Sequence, residues 1–236
     1  MKKILMQNER VIKSFNRVKD FYLKGPYATT NNCVMPLYVD DRAVFSDPKA
    51  LKTIAFEIAK FIKKEKISFD FIVGGATAGI PIATAVGLIL NRPTGYVRKM
   101  SKGGGTNKVV EGSFKKGNKA LLIDDALGHG AGKMVFLKNI RKSGFKVDTL
   151  LVVCSRGYNN PGYFKWFKKA EVNFISFCDL RGIINNAKES KIISQEAWQL
   201  LNWYFMDAIN WNKDEKKWQY FLEYKKKKSF SSKYGV

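Results

Sequence analysis

Histidine is almost missing from this chain, cysteine is sparse, and acidic side chains are heavily outnumbered. One histidine, His129, and three cysteines stand among 236 residues. Cys33, Cys154 and Cys178 lack the spacing of a metal site, and Cys154 and Cys178 fall in apolar stretches. A disulfide framework and a cysteine-built metal centre are therefore excluded, and the thiols read as reduced core residues of a cytoplasmic protein. No apolar run approaches the roughly 18 residues that mark a membrane span, so no membrane partner is expected. The basic start, Met1 to Arg10, holds too short an apolar run for a signal peptide. No internal repeat is present. Asp and Glu number 20 against 42 Lys and Arg, a formal charge of +22. That balance favours anionic partners such as nucleotides, phosphorylated sugars or nucleic acid. Two readings of it stand: lysines spread over solvated faces, or a dedicated nucleic-acid surface with its one true run at Lys225-Lys226-Lys227-Lys228.

What is present is an alternating α/β pattern. With 45% hydrophobic residues, the chain is long enough for one full core with small appendages. The spacing predicts a helix over Ile4 to Lys24, from Ile4, Val11, Phe15, Val18 and Tyr22. Ser46-Asp47-Pro48 starts another, which repeats Leu51, Ile54, Ala55, Ile58, Ala59, Phe61 and Ile62 on one face up to Lys64. A buried strand over Phe69 to Val73 leads into a glycine loop and an apolar helix to Leu90. Further strands are expected near Gly95 to Arg98, up to Asp124, over Val147 to Ser155 and near Val172 to Phe177, with a helix over Gly132 to Ser143. Strands alternating with helices indicate a parallel sheet covered on both faces. Ligands of such sheets bind at the carboxyl ends of the strands, where all three glycine-rich segments fall.

The most informative of these segments is Ala120-Leu121-Leu122-Ile123-Asp124-Asp125-Ala126-Leu127-Gly128-His129-Gly130-Ala131-Gly132-Lys133. An apolar strand delivers two adjacent carboxylates, and a glycine loop then opens a helix. The carboxylates suit sugar hydroxyls, while backbone N–H groups and the positive end of the helix suit a phosphate. A P-loop is excluded, since Leu127 and Met134 stand where it needs Gly and Ser or Thr, and the G-x-G-x-G spacing is not the dinucleotide fingerprint. Read alone, the segment fits equally a tight βα turn with a charged strand end.

Four segments in order resemble the type I phosphoribosyltransferases, and most of all the orotate phosphoribosyltransferases, over roughly Lys13 to Asn185. Met35-Pro36-Leu37-Tyr38-Val39-Asp40-Asp41-Arg42, with Ser46-Asp47-Pro48 downstream, is similar to the family's S-P-Y-Y-x-D-x-R and S-D-P. Val73 to Pro81 resembles its pyrophosphate loop, Arg98 to Asn107 with Val110-Glu111-Gly112 its mobile catalytic loop, and Asp124-Asp125 with the glycine loop its phosphoribosyl pyrophosphate (PRPP) motif. The resemblance implies Mg²⁺-dependent transfer of phosphoribose from PRPP to orotate or a similar base, with release of pyrophosphate, in pyrimidine nucleotide synthesis. It implies that Asp124 and Asp125 hold the ribose hydroxyls, that Gly128, His129, Gly130, Ala131 and Gly132 take the 5-phosphate, and that Ala76, Thr77, Ala78 and Gly79 cradle pyrophosphate. Arg98, Lys99 and Lys102 close over the leaving group, Leu37 and Tyr38 lie by the base, and Arg156 meets the base's carboxylate. Mg²⁺ bridges substrate oxygens, and no side chain is assigned as its ligand. A homodimer is implied because the family's mobile loop reaches the neighbour's site.

The departures are specific. Gly104 stands where the family carries histidine, Thr30 where it carries a lysine, and the phosphate loop lacks the hydroxyls of T-T-G-x-S or T-A-G-x-S. His129 fits two roles, a phosphate donor or an exposed turn residue. These changes keep a rival reading open: a non-catalytic sensor of PRPP or a nucleotide that binds nucleic acid through its basic surface. The expected organisation is an N-terminal helix and hood over 1–45, the transferase core over 46–190 and a Trp- and Lys-rich helical extension over 191–236. For the extension too, two readings stand: a helical tail packed on the domain or a dimer partner, or an aromatic-plus-lysine module for nucleic acid or an acidic partner.

Overall fold

The computed structural model describes residues 2–18, 21–28, 33–101, 107–128, 130–156 and 168–227. Two compact units interleave along the chain: residues 1–19 with 41–183, and residues 20–40 with 184–236. The first holds a seven-stranded sheet in the order β1-β9-β8-β7-β4-β5-β6. Its strands are β1 (Lys3–Leu5), β4 (Phe71–Gly75), β5 (Thr94–Val97), β6 (Val110–Glu111), β7 (Lys119–Leu127), β8 (Lys146–Ser155) and β9 (Asn173–Asp179). Every pairing is parallel except that of β5 with β6. Helices α1 (Glu9–Phe15), α2 (Pro48–Lys64), α3 (Gly79–Leu90) and α4 (Ala131–Lys142) belong to this unit, and α5 (Leu180–Glu189) carries the chain across the boundary.

The core follows from the apolar runs. Phe71, Val73, Leu122, Leu150, Val152 and Phe174 from four neighbouring strands bury their side chains with Phe136, Leu137 and Ile140 of α4. Helix α2 starts where expected: Asp47 accepts hydrogen bonds from the N–H groups of Lys49 and Ala50 at 2.8 and 2.9 Å, and Pro48 opens the first turn. Such a cap is worth about 1 kcal/mol. Cys154 and Cys178 face one another in register on β8 and β9 as buried free thiols. Among the described residues, no helix is long and apolar enough to cross a membrane.

One expectation fails. The stretch from Ile4 to Lys24 is not a single helix. Lys3 to Leu5 pair with Phe174 to Ser176 as a parallel edge strand, and Asn8 caps the seven-residue α1. The chain then enters β2 (Tyr22–Ala28), in the second unit. The helical spacing from Val11 to Phe15 is real, but the apolar residues on either side answer to strand partners.

In the second unit β2 pairs antiparallel with β3 (Val34–Val39). It also contains α6 (Gln195–Met206) and α7 (Glu215–Lys227). Trp211 is buried between these helices in sequence, and its indole N–H donates to the carbonyl of Val34 at 2.6 Å. Trp218 and Phe221 close around it, with ring centroids 6.1 Å from that of Trp211. Part of the extension's aromatic set thus forms the unit's interior, while Trp198, Trp203, Phe205, Trp218 and Tyr220 stay partly exposed. Tyr204, Trp211 and Phe221 are buried and offer no stacking platform to a nucleic acid.

Candidate active site

Strand β7 lies at the centre of the sheet, between β8 and β4, and its end carries the carboxylate pair. Asp124 is buried and Asp125 half-buried. Neighbouring glycines make room for the first: a Cβ at Gly75 would lie 2.5 Å from Asp124 Oδ2, and one at Gly79 would lie 2.8 Å from Asp124 Oδ1. Asp124 Oδ1 accepts the N–H of Asp125 at 2.9 Å. Asp124 Oδ2 accepts from Lys133 Nζ at 2.5 Å, and the same ammonium donates to Asp125 Oδ1 at 3.3 Å.

This arrangement pulls the two carboxyls apart in acidity. Burial pushes Asp124 up to about 7; the Lys133 ammonium opposes the shift and the charge of Asp125 adds to it. Burial also raises Asp125, but Lys133 and the hydrogen bonds from Ala126 N–H and Asp124 outweigh it, so this carboxyl sits below its ordinary value. One ammonium shared by two carboxylates leaves a single negative charge at the strand end, which a proton on Asp124 removes.

Two loops flank the pair. Between β4 and α3 the Ala76–Thr77 peptide is cis, and Ala76 N–H donates to the carbonyl of Val97 at 2.9 Å. Between β7 and α4, Gly130 takes φ of 80°, a left-handed conformation that favours glycine. Neither α3 nor α4 has a side-chain cap, whereas Asn8, Asp47 and Ser194 cap α1, α2 and α6. The first N–H groups of an uncapped helix are available to an anion.

Lys99 is the basic residue placed over this opening: its Cε and Nζ would lie 3.4 and 3.5 Å from a Cβ built at Gly132. Asn139 of α4 fixes the segment, donating to the carbonyls of Arg98 and Lys99 at 2.7 and 3.0 Å. Arg98 itself turns to Tyr96 and Glu111, at 2.8 Å from the phenol oxygen and 3.5 Å from the carboxylate. Arg156 follows β8 and pairs with the buried Asp41 at 3.2 Å. Burial raises the Asp41 carboxyl against the pull of Arg156, and the charge of Asp125 reaches it as well.

The structure therefore gathers Asp124, Asp125, Gly79, Gly132 and Lys99. It places Ala76, Thr77 and Ala78 in the adjoining loop, Gly128 and Gly130 in the loop before α4, and Ala131 as the first residue of α4. Leu37 and Tyr38 lie on β3 in the second unit. Lys102, Gly104 and His129 lie outside the described residues. Sequence reasoning missed Lys133, Asp41 and Asn139. For Lys133 a signal existed: a cation in the first helical turn works against the helix dipole unless an anion holds it.

Among the described residues no three His, Cys, Asp or Glu side chains converge. Two carboxylates fit Mg²⁺, which keeps several waters and binds one or two carboxylates together with substrate phosphates. They do not form a cage for it without those phosphates.

Comparison with known proteins agrees with this geometry. Residues 43–159 match the phosphoribosyl transferase domain model. The orotate phosphoribosyltransferase of Coxiella burnetii is 30% identical over 197 residues, 84% of this chain and 90% of that protein. The chain belongs to the orotate phosphoribosyltransferase family. Solved structures with this fold include the UMP synthase of Leishmania donovani, with a TM-score of 0.69 and 22% identity, covering 85% of this chain and 41% of that longer one. An orotate phosphoribosyltransferase of Mycobacterium tuberculosis, solved in complex with PRPP, gives a TM-score of 0.59 at 18% identity and covers 74% of this chain and 98% of that one. At these identities the likeness is one of fold, and it matches the parallel-sheet architecture expected of this family.

Proposed function

We propose that this orotate phosphoribosyltransferase family member transfers phosphoribose from PRPP to orotate or a similar base and releases pyrophosphate, a step of pyrimidine nucleotide synthesis. The observation that carries the reading is the carboxylate pair at the end of β7, facing an uncapped helix start with Lys99 above it. In the reaction a ring nitrogen of the base forms a bond to ribose C1 as the C1–oxygen bond to pyrophosphate breaks. The bonding electrons leave with pyrophosphate, and the ribose passes through a cationic, oxocarbenium-like state. Asp124 and Asp125 hold the hydroxyls beside that cation, so their negative charge gains value in the transition state. Backbone N–H groups from Gly128 to Gly132 hold the 5-phosphate, and those from Ala76 to Gly79 the departing pyrophosphate. Lys99, with Arg98 and Lys102, supplies positive charge to the leaving group, and His129 adds a donor to the phosphate loop. Arg156, oriented by Asp41, meets the carboxylate of the base, a task suited to a planar guanidinium. Mg²⁺, held by the carboxylate pair together with substrate phosphates, would supply charge stabilisation for the leaving pyrophosphate. The working unit in this reading is a cytoplasmic homodimer.

The test is pyrophosphate release from PRPP and Mg²⁺ with a panel of bases led by orotate. Release that depends on orotate supports the assignment, and release with another base moves the specificity within the same chemistry. PRPP binding without turnover on any base overturns the enzyme reading in favour of a sensor.

A further inference from the structure

Lys133 has no assigned part in that scheme, yet it is the most constrained cation of the site. Its ammonium bridges both carboxylates with a side chain 14% exposed, against 3% for Asp124 and 17% for Asp125. Asp124 has no unengaged oxygen, since Oδ1 takes the N–H of Asp125 and Oδ2 takes Lys133. A ribose hydroxyl seeking that carboxylate meets an acceptor already in use. Lys133 also belongs to the first turn of α4, which follows the open space at Gly128. A four-carbon stem with free rotation lets the ammonium reach either the strand end or an anion at the helix start. The same loop has no side-chain hydroxyls at Gly128, Gly130, Ala131 and Gly132, so a phosphate bound there lacks side-chain donors from those positions.

We propose that Lys133 is a two-position substrate-binding cation, holding the carboxylate pair in the empty site and transferring to the phosphate of an arriving sugar phosphate. This rests on the reading that the β7–α4 loop takes a ribose phosphate. The transfer frees Asp124 Oδ2 and Asp125 Oδ1 for the ribose hydroxyls and gives the phosphate a cationic donor in place of the missing hydroxyls. Phosphate and diol recognition become one coupled event. A sugar without phosphate must displace the lysine unaided, and a phosphate without a sugar draws the lysine away from carboxylates that are left uncompensated.

The test measures binding of ribose 5-phosphate and of ribose to the full chain, by calorimetry and ligand-observed NMR, with thermal melting as the folding check. Lys133→Met should weaken ribose 5-phosphate at least tenfold while leaving ribose unchanged or tighter, and Lys133→Arg should recover part of the loss. Lys133→Gln, which keeps hydrogen bonding without charge, serves in its place if the methionine variant does not fold. Equal weakening of both ligands, or none, overturns the proposal and leaves the functional reading standing. A wild-type chain that binds no ribose 5-phosphate overturns both.

Discussion

The two loops that meet at Asp124 are both rich in glycine, and they use it for opposite purposes. At Gly75 and Gly79 a side chain would collide with Asp124, and at Gly75 also with Phe136 at 2.7 Å. At Gly128 a Cβ would meet nothing within 4 Å, and at Gly132 only the flexible end of Lys99. The β4–α3 glycines therefore let the protein pack against its own carboxylate. Those of the β7–α4 loop keep space that the protein does not fill. Glycine content alone does not separate a packing requirement from a ligand's berth; the distance to the nearest atom does.

The sharpest test removes the charge between the two loops. Asp125→Asn should lower kcat by about 10²–10³-fold, the scale of losing one preorganised electrostatic contact, with an unchanged circular dichroism spectrum. Full activity would dissolve the site as drawn. Next, Gly75→Ala should cost about 1–3 kcal/mol in denaturant unfolding, as overpacking does, because a buried carboxylate and the buried ring of Phe136 cannot step aside together. Gly128→Ala should stay within about 0.5 kcal/mol of wild type while weakening ribose 5-phosphate, which would separate berth from packing in one pair of variants.

The pH dependence gives a finer measure. Asp124 rises from an ordinary 3.8 to about 7 in the folded chain, so the folded state holds an extra proton between those values. The stability this group contributes is present below the unfolded value and is lost as pH rises through about 7. Ligand binding should run the other way. An ionised Asp124 accepts hydroxyls, so ribose 5-phosphate should bind more tightly with rising pH, by up to about tenfold per unit on the acid side. Lys133→Met should move that limb to higher pH, since the ammonium opposes the rise. A flat titration would mean that Asp124 does not touch the sugar.

Local patterns made β7, its carboxylates and the cap of α2 legible, because an apolar run ending in Asp124-Asp125 and an Asp47-Pro48 start need no distant partner. The misread stretch at the N-terminus shows the converse. Lys3 becomes a strand residue only because Phe174 lies opposite it, and nothing near Lys3 announces that pairing. Lys133 was visible as a letter but not as a contact, since its meaning depends on how α4 is rotated over β7. The Trp-rich helices were legible as amphipathic. The burial of Trp211 between them in sequence rests on Val34, 177 residues earlier, and no spacing rule reaches that far.

That last contact sets an order on the chain's own synthesis. At about 5–20 residues per second, the β2–β3 hairpin is made roughly 10–35 seconds before the indole that caps the carbonyl of Val34. For most of that interval α6, which packs on β3, is missing as well. The second unit is thus completed only when residue 211 has been made, and a chain cut short before Trp211 keeps α6 on β3 but lacks the indole that closes over the carbonyl of Val34.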